Sequence, residues 1–361
     1  MAERPVYSIL LILFLLTTVA AQQIDSPKLV PVPGTESQTQ RIREGVALHD
    51  RGDYDGAIAK YEAVLKENPD NVLALYELAF SQSAKKEYKK SLETALKGAQ
   101  YQSEEVTGFY LLIGNNLDEL GEPKKAVELY KKALKLKPND YLLHYNLGVT
   151  YNNMSNTEEA KKSLKKAVFS NPNHPSSHVL LATIWYKTHY KTPAIFAAAR
   201  FLILEPRTNR SVTAFNLLQE IFKGRVKEGK NPGQIDIFVD FQTNKDEGDF
   251  GSIDLILGIS GAAAMTEKNK SKSEVQKFVD QLEVVLSLMA ENEGKGDKSK
   301  FTFRYYVPYF VELKKRNYVE PFGYYISQTS DYPGVSEWLD KNANRVNEFL
   351  NWSKNYRWPP E

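Results

Sequence analysis

The sequence predicts an all-α protein: a solenoid of stacked helical hairpins, then a mainly helical C-terminal domain with room for a small two-stranded element. Three observations point there. The stretch Tyr110–Pro138 (YLLIGNNLDELGEPKKAVELYKKALKLKP) reads as two amphipathic helices joined by a tight turn around Gly121. Its features recur with a period near 34 residues, the mark of stacked hairpins. Further on, Val275, Phe278, Val279, Leu282, Val285, Leu286 and Met289 form one stripe on a helix spanning Ser273–Glu291.

The first helix of the 110–138 hairpin is apolar at Leu111, Leu112, Leu117 and Leu120. The second is apolar at Ala126, Val127, Tyr130, Ala133, Leu134 and Leu136. Pro138 ends it, because proline lacks an N–H and its ring clashes with the preceding turn. Two helices this short cannot bury their apolar faces alone, so they need neighbours of the same kind. The copies close at Pro69, Ser103, Pro138, Pro172 and Pro206, in steps of 34, 35, 34 and 34 residues. Small residues recur in each first helix (Gly45, Ala79, Gly114, Gly148, Ala182) and each second helix (Ala57, Ser91, Ala126, Ala160, Ala194). They let two backbones approach, while larger neighbours such as Leu78, Ile113, Leu147, Leu181, Leu117, Tyr151 and Trp185 fill the flanks.

These coupled positions resemble the tetratricopeptide repeat family, in five repeats over about residues 38–207. The resemblance implies a right-handed superhelix with a concave groove that binds peptides or proteins. It also implies that five positions of each first helix line that groove. Here they include Tyr76, Phe80, Asn115, Asp118, Tyr145, Asn152, Asn153, Thr183 and Tyr186. Rigid tyrosines offer contact area, and amides can hydrogen-bond an extended backbone. One subfamily clamps acidic carboxyl tails with two asparagines and three basic residues. Asn115 and Asn146 match its asparagines, but Leu111, Ser176 and Leu180 stand where its bases belong. That clamp is therefore rejected, and the groove is expected to prefer a neutral or mixed ligand.

At 361 residues there is room for two domains. The net charge of +2 makes no overall case for nucleic acid. The absence of cysteine excludes disulfides, thiolate catalysis, cysteine-ligated zinc and lipidation on cysteine.

In chain order, Met1–Ala21 has the form of an export signal, with Arg4 ahead of the apolar run Val6–Val19 and small residues suited to cleavage near Ala21. The alternative is an uncleaved anchor, although the run is shorter than the ~20 residues a spanning helix needs. Residues 22–37 read as an extended linker. In the first repeat Glu44 replaces an apolar residue, as befits a terminal repeat with one face in water. Second helices carry lysine pairs (Lys89–Lys90, Lys124–Lys125, Lys131–Lys132, Lys161–Lys162, Lys165–Lys166). They suggest a solvated outer wall, or a strip that meets an anionic surface.

The second helix of repeat five, PAIFAAARFLILEP, is apolar around most of its circumference. A helix apolar all round is buried all round, so the C-terminal region is expected to pack on it. A capping helix over 208–224 follows, and residues 224–233 mark a boundary. The domain over 231–361 resembles no recognised family. Pro321 and Pro333 are read as first-turn prolines, and the last helix runs through Val346, Phe349 and Leu350. Ile235/Ile237/Val239/Phe241 and Phe301/Phe303/Tyr305/Val307 alternate as strands do.

Few residues suggest chemistry. His144 and His178 share one repeat position, with His174 and His189 near His178, and a structural role suits them better than metal ligation. Asp240–Asp249 lacks the glycine and closing Glu of a calcium loop. GISG at 258–261 lacks a partner Lys or Asp for phosphate. The aromatic cluster of 301–310, 318–325, Trp338, Trp352 and Trp358 suits either a core or carbohydrate stacking, and Trp358 is the member least explained by a core. The expectation is an exported, non-catalytic scaffold without metal or cofactor. It would hold a protein or peptide in a bacterial envelope assembly. The alternatives are an enzyme or a polysaccharide binder with its site in 231–361.

Overall fold

The computed structural model describes residues 26–231, 234–238, 246–264, 266, 269, 271–291 and 294–360. The export segment lies outside the described residues, as do Val239, Phe241 and residues 240–245 of the acidic loop. Among the described residues the chain is all-α apart from one short hairpin, and it divides into two compact units, 1–170 and 171–361.

The first unit is a run of helical hairpins: α1 (Glu36–His49) with α2 (Tyr54–Glu67), α3 (Val72–Ala84) with α4 (Tyr88–Gly98), α5 (Val106–Glu119) with α6 (Pro123–Leu136), and α7 (Tyr141–Asn153) with α8 (Thr157–Ser170). Side chains satisfy the exposed N–H groups at several helix starts: Thr35 and Gln38 form a capping box, and Asp53, Asn71 and Asp140 each accept a backbone N–H. Two of the recurring small residues, Gly45 and Gly114, sit under large rings, and Gly148 sits under Leu164. A Cβ on Gly45 would lie 2.5 Å from Tyr61, and one on Gly114 would lie 2.2 Å from Tyr130. Both rings are buried.

The turn inside each hairpin has a left-handed residue at one fixed place in the period: Gly52, Lys86, Gly121, Ser155 and, in the second unit, His189. Only two are glycine, so the others hold a conformation that costs a residue with a Cβ roughly 1 kcal/mol. Ahead of α1 the chain is extended and tied down. Lys28 and Leu29 donate backbone N–H bonds to Gln100, and Gln102 donates one back to Leu29.

The second unit contains α9 (Pro175–Lys187), α10 (Lys191–Leu204), α11 (Asn209–Lys223), β1 (Arg225–Glu228), β2 (Ile235–Phe238), α12 (Gly251–Ala264), α13 (Glu274–Glu291), α14 (Phe301–Lys315), α15 (Val319–Ile326), a 3-10 turn (Ser327–Thr329), α16 (Val335–Lys341) and α17 (Ala343–Lys354). Helix α10 is buried without interruption from Thr192 to Ile203. Phe196 stacks on Phe310 of α14 at 4.8 Å, and Thr192 bonds Asp254 of α12. Phe215 and Phe222 of α11 meet Phe278 of α13 edge-on.

Three readings of this region need correction. Phe301–Val307 is the first half of α14, not a strand. The helix is apolar around most of its surface, so a period of 2 fits Phe301, Tyr305 and Val307 as well as a period of 3.6 does. Strand β2 instead pairs antiparallel with β1, Val226 opposite Ile237, inside the stretch read as a boundary. Pro321 does sit in the first turn of α15. Pro333 precedes α16, whose N-cap is Gly334 at φ +83°.

Candidate functional site: the inner face of the repeats

The sequence-derived groove residues lie on the first helices of the hairpins and remain partly or fully exposed. Tyr76 and Phe80, one turn apart on α3, stack with parallel planes at 6.3 Å. His49 from α1 stacks on Phe80 at 4.8 Å, and Phe109 meets Tyr76 edge-on at 5.6 Å. A shelf of rings results, with Phe80 still 43% exposed.

Beside the shelf runs a polar ladder with the period of the repeat. Ser81, Asn116 and Thr150 each stand two residues after the small residue of their first helix. Each bonds the residue four places after the small residue of the preceding repeat. His49 Nδ1 and Ser81 Oγ share a hydrogen bond of 2.7 Å. Ser83 Oγ donates to Asn116 Oδ1 at 2.9 Å, and Thr150 Oγ1 donates to Asp118 Oδ2 at 2.5 Å. Fully buried Asn116 also donates to Ser91 Oγ, whose hydroxyl donates to the Ala79 carbonyl. A buried amide satisfied on both ends fixes the register of neighbouring hairpins, because a slipped register would strand it. The next residue in the series is Ile184, which has no polar side chain.

The ladder occupies part of what the sequence offered to a ligand. Asn115 Oδ1 accepts from Tyr130 at 2.9 Å, and Asp118 is bound to Thr150. Asn152 and Asn153 are exposed and Tyr145 is half-buried. Thr183 and Tyr186 belong to the second unit, where the Thr183 hydroxyl donates to the Val179 carbonyl of its own helix. Two inner-face residues escaped the sequence reading. His49 holds the same repeat position as Asp118, and Glu77 lies between Tyr76 and Phe80. Their place in the period was the available signal.

Both carboxylates of this face are held above the usual range. For Glu77 the causes are burial and then Asp50. For Asp118 burial leads, offset by the Thr150 bond, with Glu119 adding to the rise. No cation among the described residues pairs with either.

The paired histidines act alike on their own loops. His144 Nε2 lies 2.8 Å from the Pro138 carbonyl and His178 Nε2 lies 3.0 Å from the Pro172 carbonyl. A carbonyl only accepts, so Nε2 of His178 carries the proton and Nδ1 accepts from Tyr306 Oη at 2.6 Å. Burial, then the nearby Arg200 charge, pushes His178 down to about 3. Among the described residues no three His, Asp or Glu side chains converge as a metal site, and no helix is long and apolar enough to cross a membrane.

The C-terminal aromatics face one another. Trp358 stacks on Tyr305 at 4.6 Å and on Tyr309 at 4.9 Å. Arg200, 1% exposed, lies 5.0 Å over the Trp358 ring, with Asn173 Oδ1 and Ser353 Oγ as hydrogen-bond acceptors. Packing on α14 and α10 accounts for Trp358.

Models described as TPR repeat match residues 45–86 and 114–155, and one described as tetratricopeptide repeat matches 142–174. A TPR repeat-containing protein of Methanocaldococcus jannaschii is 24% identical over 127 residues, covering 35% of this chain and 22% of that protein. The BBSome complex member BBS4 of Bos taurus is 27% identical over 106 residues, covering 29% of this chain and 20% of that protein. The chain spans about a fifth of the length of these curated relatives. A solved thermophilic TPR protein of Thermus thermophilus shares 25% identity at a TM-score of 0.44, covering 51% of this chain and 100% of that one. The period, the small-on-large contacts and the family-model matches show tetratricopeptide repeats in this chain, matched over residues 45–86 and 114–174.

Proposed function

We propose that this chain is an exported, non-catalytic scaffold that holds a protein or peptide partner along the inner face of its repeats, within a bacterial envelope assembly. The observation that carries the reading is the ring shelf of Tyr76, Phe80 and His49, kept open on first helices whose other faces are buried. Large rigid rings on a fixed scaffold supply contact area at low entropic cost. The short basic front, apolar run and small residues of Met1–Ala21 support export. Lys161 of the sequence-derived pairs is buried and paired with Glu158, so a peripheral contact with an anionic surface rests on exposed lysines such as Lys89, Lys90, Lys124, Lys131 and Lys162. Carbohydrate stacking in the C-terminal unit has less support, because the aromatic faces there are taken up by one another.

The test is capture from native envelope material by the full chain and by a Phe80→Ala variant, with mass spectrometry of what is retained. The expected result is a partner held by the parent and lost by the variant, at an unchanged melting temperature. Equal retention would move the site off this face. Cell fractionation that finds the chain in the cytosol would refute export.

A further inference from the structure

We propose that the inner face of repeats one to three takes a basic segment of its partner, seating Lys or Arg side chains over the Tyr76–Phe80–His49 shelf and against Glu77 and Asp118. This rests on the groove reading above and adds the chemistry of the occupant.

Two independent observations meet on this surface. The first is the shelf: three rings stacked face to face, 4.8 and 6.3 Å apart, with Phe80 open to solvent. An aromatic face attracts a cation through its quadrupole, and a flat guanidinium also stacks on it. The second is the charge around it. Glu77 lies next to Tyr76 on the same helix, and the groups that act on it are Asp50 and its own desolvation. Asp118 receives Thr150 on one oxygen, while its other oxygen, Oδ1, has no hydrogen-bond partner, and Glu119 is its charged neighbour. Glu105 adds negative potential at Tyr76. Some acidic groups elsewhere on the first unit already hold a cation: Glu44 with Lys60, Glu67 with Arg41, Glu87 with Lys85 and Lys90. Glu77, beside Tyr76, and Asp118, on the first helix of the next repeat, have no cation paired with them among the described residues. A partly desolvated carboxylate gains most from an incoming charge, since the desolvation is already incurred in the free protein.

Bulk charge works against this binding. The chain carries a net +2, and its second helices are studded with lysine. Affinity for a basic peptide must therefore come from a local surface, not from the average field.

The probes are three fluorescein-labelled peptides of equal length, alternating Arg–Ala, Gln–Ala and Glu–Ala, titrated with the full chain by fluorescence anisotropy at neutral pH. The Arg peptide should bind at least about tenfold more tightly than the Gln peptide, weakening as salt screens the pairs. Glu77→Gln combined with Asp118→Asn should abolish that preference, and both changes keep hydrogen-bonding side chains of the same size. Phe80→Ala should weaken the Arg peptide as well. Glu337→Gln, on an exposed carboxylate of the second unit, should change nothing. Equal binding of the Arg and Gln peptides, with both lost in Phe80→Ala, would overturn the charge inference and leave the groove intact. Arg-peptide binding that ignores Glu77, Asp118 and Phe80 alike would overturn the inference and the groove reading together.

Discussion

Replacing Asp254 by Asn should stabilise the second unit at neutral pH, by an amount that depends on pH in a defined way. Asp254 lies on α12, 4% exposed, with Thr192 Oγ1 donating to its Oδ1 at 3.0 Å and no partner for Oδ2. Burial pushes its carboxyl up to about 6, against an ordinary value of 3.8. The Thr192 bond and Lys191 pull the other way, and Asp249 adds to the rise. The folded chain therefore binds a proton between pH 3.8 and about 6 that the unfolded chain releases. Stability falls as pH rises through that window and stays reduced above it. A shift of roughly 2 units at 1.36 kcal/mol each gives a cost of about 3 kcal/mol at pH 7. Asparagine has the shape of the neutral acid, can accept from Thr192 and never ionises.

His178 tilts the same unit in the opposite sense. Its folded value of about 3 lies below the ordinary 6.5, so the unfolded chain takes the proton first as pH falls. Stability is then lost from pH 6.5 downward. Between pH 4 and 6 the two slopes oppose each other in the parent protein. The Asn variant removes only one of them. Its stability minus the parent's should be near zero below pH 4, climb through pH 4–6 and level off near 3 kcal/mol. All four tryptophans (Trp185, Trp338, Trp352 and Trp358) lie in the second unit. Urea unfolding followed by tryptophan fluorescence at a series of pH values reports this unit alone. A difference that does not change with pH, or an Asn variant weaker than the parent at pH 7, would refute the reasoning.

His178→Leu should destabilise the second unit by about 2–4 kcal/mol at pH 7, since it strands the buried Tyr306 hydroxyl and leaves the Pro172 carbonyl only its long bond from Arg200, and fluorescence-detected unfolding checks it. Ser155→Gly should stabilise the first unit by about 0.5–1 kcal/mol, because Ser155 holds φ +59° at an exposed hairpin turn; far-UV circular dichroism during thermal unfolding reads the change. Gly114→Ala should cost about 1–3 kcal/mol in the same measurement, since its methyl would sit 2.2 Å from the Tyr130 ring.

The hairpins were legible because one steric rule is written repeatedly. Gly45 faces Tyr61, Gly114 faces Tyr130 and Gly148 faces Leu164, so a small residue recurs wherever two helices come close, and recurrence can be counted. The left-handed turn position recurs as strictly in backbone but not in residue type: Gly52, Lys86, Gly121 and Ser155 share a conformation and little else. Sequence showed only the turn at Gly121. In the second unit no repeat helps. Phe301, Tyr305 and Val307 fit two periods at once, and only packing against α10 and α13 decides between strand and helix. The short strand at Arg225–Glu228 carries charged residues at both ends and gave no alternating signal of its own.

The inner face was half legible for a related reason. Period placed Tyr76, Phe80, Asn115 and Asp118 on one side of their helices. Period does not say which side chains are already engaged by the neighbouring repeat. Asn115 and Asp118 look equivalent to a ligand donor or acceptor in sequence, yet Asn115 already bonds Tyr130 of its own hairpin and Asp118 bonds Thr150 of the next repeat. Glu77 looks like an ordinary solvated acid until its surroundings are known: it is partly desolvated, and its charged neighbour is Asp50. The chemistry of a repeat groove thus lies in the pairs formed within and between repeats. A substitution at Thr150, which reaches no ligand in this reading, should alter the inner face by freeing Asp118. Thr150→Val leaves that carboxylate without its donor, raises its proton affinity further and should weaken the Arg-peptide probe as pH falls. Unchanged pH dependence in that variant would mean that Asp118 plays no part in the charge of this face.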